Sequence, residues 1–114
     1  MKILDITRRG IEHILKEAEN AVTIKKTDKT STAMANYRIN AIAAYTIAEQ
    51  VLAVVRSNDL ETAQLFYGHL KGKLKEIKEG FSKEYEFFNN KLENALIGQN
   101  SSLAREFKIR GIKI

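Results

Sequence analysis

From Leu60 to Ala95 apolar residues recur every three or four positions, and no proline interrupts them or any other part of the chain. At average usage a chain of 114 residues would carry about five or six prolines. Proline inside a helix removes a backbone donor and clashes with the preceding turn. A proline-free chain with this spacing is free to form long helices.

The series Leu60, Ala63, Tyr67, Leu70, Leu74, Ile77 and Phe81 alternates steps of three and four. Two successive steps of four lead through Tyr85 to Phe88, Leu92 and Ala95. This is a heptad seam with a stutter at Phe81. It predicts a helix over 59–97, stopped by Gly98. Unbroken, that helix would be about 57 Å long, while a compact domain of this size has a radius of gyration of about 13 Å. Either the helix breaks, with Gly80 the natural point, or the molecule is elongated and its aromatic end needs cover. The second option favours a homo-oligomer.

Two further segments carry helical spacing. In 1–22, Leu4, Ile11, Ile14, Leu15, Ala18 and Val22 share one face. In 31–56, Met34, Tyr37, Ala41, Ala44, Ala48, Val51 and Val55 form a seam, and Ile39, Ile42, Ile47, Leu52 and Val54 widen it. A helix apolar over so much of its circumference belongs at the centre. Its alanines permit close approach of neighbours.

The polar stretch 23–32 reads as a connection, with Asp28, Thr30 or Ser31 available to cap the second helix. Asn58 with Glu61 resembles a capping box for the third. A connection this short makes the second and third helices antiparallel neighbours. The last segment, 101–114, reads as a short helix from Ser101 or Ser102 followed by an apolar, basic tail. The expected fold is therefore all-α and one domain: a small bundle on a long antiparallel helical hairpin, with an N-terminal helix and a short C-terminal helix or tail.

Composition narrows function by exclusion. There is no Cys, so there is no disulfide, thiolate zinc site or cysteine nucleophile. Nineteen Lys and Arg against fourteen Asp and Glu give a net charge of +5, which permits an anionic partner without requiring one. The start lacks the apolar core of a signal peptide. The uninterrupted apolar stretches fall short of a membrane span. A cytoplasmic protein without membrane contact is the expectation.

No convergent catalytic set is visible. His13 and Glu17 lie one helical turn apart, but the only other histidine is His69, too few for a zinc site. No metal or cofactor is expected. Glu76, Glu79, Glu84 and Glu86 interleave with Lys73, Lys75, Lys78 and Lys83, the pattern of a solvated face. Glu49 is the one acid placed for partial burial, with Arg38 or a lysine as its partner. Gly68 and Gly72 suggest close packing against the alanine-rich second helix. Asn36 and Asn40 either fix register at a seam or face solvent.

These features favour a non-enzymatic protein-interaction module: an adaptor, inhibitor or assembly component acting through a helical surface as a homo-oligomer with a protein partner. Its expected contact residues are Phe66, Phe87, Phe107, Ile109, Ile112 and Ile114. The alternative is a nucleic-acid-binding protein using Lys71, Lys75, Lys78, Arg105, Lys108, Arg110 and Lys113 as a basic patch.

Overall fold

The computed structural model describes residues 8–22, 28–81, 85–99 and 101–111. Among them the fold is all-α, with five helices and no strand: α1 (Arg8–Val22), α2 (Asp28–Arg56), α3 (Leu60–Gly80), α4 (Glu86–Ile97) and α5 (Ser102–Ile109). They form a small bundle centred on α2, which contacts each of the other four. Its largest contact is with α3.

The α2 seam is buried from Tyr37 through Ala41, Ala44, Ala48 and Val51 to Val55. Ala63, Leu70, Leu74 and Ile77 of α3 join this core. So do Ile11, Leu15 and Ala18 of α1, Phe88 and Leu92 of α4, and Leu103 and Phe107 of α5. Alanine at three of the buried α2 positions lets neighbouring backbones come close. Helix axes then pack at about 8–10 Å.

Two boundaries differ from the sequence-based reading. Helix α2 starts at Asp28, three residues before Ser31, taking the polar residues 28–30 into its first turn. Asn58 is not the cap of α3. It adopts the left-handed conformation, φ 62°, which Asn tolerates better than most residues. Its amide donates to the Val55 carbonyl (3.0 Å) and the Asp59 amide to that of Val54 (3.2 Å), a Schellman ending for α2. Asp59 caps α3 instead, accepting from the Thr62 amide at 3.2 Å.

The single helix over 59–97 is two helices. Helix α3 ends at Gly80, and Phe81 is extended (φ −120°, ψ 148°). Glycine weakens a helix by about 1 kcal/mol relative to alanine. Leaving the helix there also lets three aromatics converge. Tyr37 meets Phe81 edge-on at 5.0 Å and Tyr85 at 4.6 Å, and Phe81 meets Tyr85 at 5.5 Å. The aromatic end is thus covered within one chain, and the reason for expecting a second chain over it disappears.

The structure measures 47 × 29 × 18 Å, with a radius of gyration of 14.8 Å. The 29 residues of α2 span about 43 Å and set the long axis. The 18 Å axis admits two layers of helices about 10 Å apart and no third.

Gly68 and Gly72 are exposed, and a Cβ on either would meet nothing within 4 Å. Close packing against α2 is therefore not their role. A Cβ on Gly98 would lie 2.5 Å from the Asn94 carbonyl oxygen. Gly98→Ala should cost about 1–3 kcal/mol through that clash. Gly68→Ala or Gly72→Ala should gain about 0.5–1 kcal/mol through helix propensity. Urea unfolding of the three variants checks the opposite signs.

Tyr37 is fully buried, and its hydroxyl has no hydrogen-bond partner among the described residues. Burial raises its phenol well above the ordinary value, and the adjacent Tyr85 adds to the shift. A folded-state pKa raised above the unfolded one gives stability that is complete below about pH 10 and is lost as pH rises beyond it. Thermal unfolding between pH 8 and 11 should show that loss, and Tyr37→Phe should flatten it.

Candidate functional site

Phe107 does not belong to a contact surface. It is 0% exposed and meets Tyr67 of α3 edge-on at 5.1 Å. It faces inward because Leu103 and Phe107, one turn apart, form the apolar stripe of a two-turn helix. Ser101 caps that helix, accepting from the Ala104 amide at 3.2 Å.

Phe66 is half-buried against the core and stacks on His69 at 6.1 Å. Phe87 is 62% exposed. Its ring lies edge-on to Phe88, with the Lys91 ammonium 4.7 Å from its centroid. Ile109 is 74% exposed at the end of α5. These three sit on three different helices, and no ring contact joins Phe66 to Phe87 among the described residues. Ile112, Ile114 and Lys113 lie outside the described residues.

The basic patch is partly neutralised. Lys78 pairs with Glu93 of α4 at 2.7 Å. Arg110 pairs with Glu106 at 3.5 Å and donates to Asn58 Oδ1 at 2.9 Å, pinning α5 to the α2 ending. Lys71 lies over the Tyr67 ring at 5.7 Å. Lys75, Arg105 and Lys108 are exposed.

The acids take ordinary structural roles. Arg38 Nη1 donates to Glu12 Oε2 at 2.9 Å, tying α2 to α1. Glu49, expected to partner Arg38, is exposed instead. Glu17 accepts from Lys91 at 2.8 Å with one oxygen and faces His13 Nε2 at 2.7 Å with the other. The Lys91 hydrogen bond is the main cause of its lowered pKa. Among the described residues no three His, Cys, Asp or Glu side chains gather as metal ligands. Asn36 is exposed, and the half-buried Asn40 donates to the Asn36 carbonyl at 2.8 Å, so this pair fixes no seam.

Among the described residues a further exposed surface, not expected from the spacing, is the side of α2 opposite its seam. Ile39 there is 65% exposed. Ala35, Thr46, Gln50 and Ala53 are exposed with it, and Ile42 and Ala43 are half-buried. All lie within one side of the helix at 100° per residue. Thr46 Oγ1 donates to the Ile42 carbonyl at 2.9 Å, so its hydroxyl is satisfied inside its own helix. Arg38 and Glu49 lie along one edge, and no charge lies between the edges. Leu65 of α3, 59% exposed, was also missed. The available signal was the width of the apolar surface on α2, which exceeds what a two-layer bundle can cover.

This composition has a second consequence. By length and composition alone 32–56 could cross a membrane, and 33% of its most apolar window is buried in the fold. Isoleucine, valine, leucine and alanine give it that character, and the central helix of a soluble bundle has the same length and composition.

Phe107→Ala should lose about 3–5 kcal/mol of unfolding free energy. Phe87→Ala should lose less than about 1 kcal/mol, most of it the Lys91 contact. Urea denaturation distinguishes core from surface at the two positions. Comparison of the chain with protein-family models, with curated proteins and with solved structures finds no match.

Proposed function

We propose that the chain is a non-enzymatic protein-interaction module, an adaptor, inhibitor or assembly component, that acts through a helical surface and works as a homo-oligomer. One observation supports this reading above the others. The outer side of α2 presents Ala35, Ile39, Ile42, Ala43, Thr46 and Ala53 to the surface, with its charges, Arg38 and Glu49, confined to one edge. Contiguous apolar surface bordered by polar groups marks interaction sites on soluble proteins.

The nucleic-acid reading retains Lys71, Lys75, Arg105 and Lys108 as cations outside any ion pair among the described residues. Four phosphate contacts would give a slope of about −3.6 for log affinity against log salt. Burial of an uncharged stripe gives almost none. Affinity capture with the folded chain as bait, repeated at low and high salt, separates the two. A defined set of proteins should be retained at high salt and lost with Ile39→Glu. Recovery of nucleic acid alone, released by salt, would overturn the reading.

A further inference from the structure

We propose that the outer stripe of α2 is the seat of a second copy of this chain, paired antiparallel about a two-fold axis near Ala43 and Ala44. The inference rests on the interaction-module reading and names its first partner.

Three properties of the stripe select a second copy. The first is symmetry. In a two-fold interface residue i meets residue j and j meets i. The stripe has its ends at Ala35 and Ala53 and carries Ile42 and Thr46 between them. Both pairs share a midpoint at position 44. Small residues at both ends let the two backbones approach evenly along the contact.

The second is charge. Arg38 and Glu49 are exposed and eleven residues apart. Eleven residues make just over three turns, so both lie along one edge of the stripe. Their midpoint, between 43 and 44, nearly coincides with that of the stripe. When two helices pair antiparallel about a two-fold, like edges meet. Arg38 of each copy then faces Glu49 of the other. Arg38 donates one hydrogen bond to Glu12 of its own chain, and a guanidinium carries five donors. A chain with net charge +5 repels its own copy over most of its surface. This stripe carries no positive charge between its edges.

The third is size. From Ala35 to Ala53 the stripe is about 27 Å long on a helix about 10 Å across. Two such faces bury about 900 Å² together, about three-quarters of the lower end of standard stable interfaces and the size of a weak, transient contact. That area predicts a reversible dimer whose population depends on concentration.

The test is sedimentation velocity on the purified full chain over a concentration series. Wild type should pass from 12.9 kDa to twice that mass. Ile39→Glu replaces an exposed side chain, so it should keep the wild-type helical spectrum and melting temperature while remaining monomeric. Arg38→Glu and Glu49→Arg should each weaken the dimer at least about tenfold by placing like charges together. An equimolar mixture of these two variants should associate as tightly as wild type. In that heterodimer both Glu–Arg contacts are restored, an outcome that loss of an internal contact with Glu12 does not produce.

A wild-type chain that stays monomeric at every concentration overturns the proposal. So does a dimer that survives Ile39→Glu, or a mixture no tighter than its components. Binding of the monomer to neutral phosphatidylcholine vesicles, lost with Ile39→Glu, overturns it in favour of a lipid surface. A monomer that still captures a distinct protein through the stripe sinks the self-pairing and leaves the interaction-module reading standing. A monomer that captures nothing sinks both.

Discussion

The α2 face running from Tyr37 through Ala41, Ala44, Ala48 and Val51 to Val55 is the surface against which the other four helices are placed. Its alanines contribute little apolar area of their own. What they supply is proximity: with no bulk at 41, 44 and 48, neighbouring helices can set large side chains directly over the α2 backbone. Leu70, Leu74 and Ile77 of α3 and Ile11 and Leu15 of α1 share that core with the alanines. Burying a leucine or isoleucine contributes about 1.5–3 kcal/mol, so the large partners carry most of the stabilisation and α2 sets the spacing. The surface ion pairs, such as Arg38 with Glu12 and Lys78 with Glu93, contribute at most about 1 kcal/mol each. They pin the ends and edges of elements already positioned by the core.

The seams were legible in the sequence because burial and helical period coincide along them. Tyr37 to Val55 and Ala63 to Ile77 are buried at the positions their spacing marks, apart from the half-buried Tyr67. The change of helix between Gly80 and Glu86 was not legible as a certainty, for a specific reason. Leaving the helix at Phe81 and re-entering at Tyr85 costs four residues. That is close to one turn, so the apolar phase continues across the gap as if the helix had. Only the length argument pointed to a break. Asn58 shows a different limit. A residue that can cap the following helix can also end the preceding one in left-handed conformation. The hydrogen bonds from Asn58 and Asp59 back to Val55 and Val54 decide between them, and composition does not encode that choice.

The candidate contact residues divide on similar grounds. Phe107 and Phe87 look alike in sequence, each an aromatic directly after a glutamate. Helix α5 has only eight residues, so Leu103 and Phe107 supply its apolar anchorage and Phe107 faces inward. Helix α4 has Phe88, Leu92 and Leu96 to bury, which leaves Phe87 outside. On α2 the error ran the other way. A wide apolar surface was read as wide burial, but burial also depends on how many helices are available to cover it.

That supply can be counted. Helix α3, with 21 residues, gives about 32 Å of cover along α2. Helices α1, α4 and α5, with 15, 12 and 8 residues, give about 52 Å between them, against a central helix of about 43 Å. Glu12 on Arg38 ties α1 to the first half of α2, and Glu106 near Arg56 ties α5 to its end. The described helices thus suffice to flank α2 on two sides, and none among them is left for a third. Charged side chains on the open side would have made that exposure inexpensive. The sequence places isoleucine, alanine and threonine there instead, at a cost in exposed apolar surface that the monomer never recovers. A second α2, equally short of cover on the same side, would supply the missing layer to both copies with one contact.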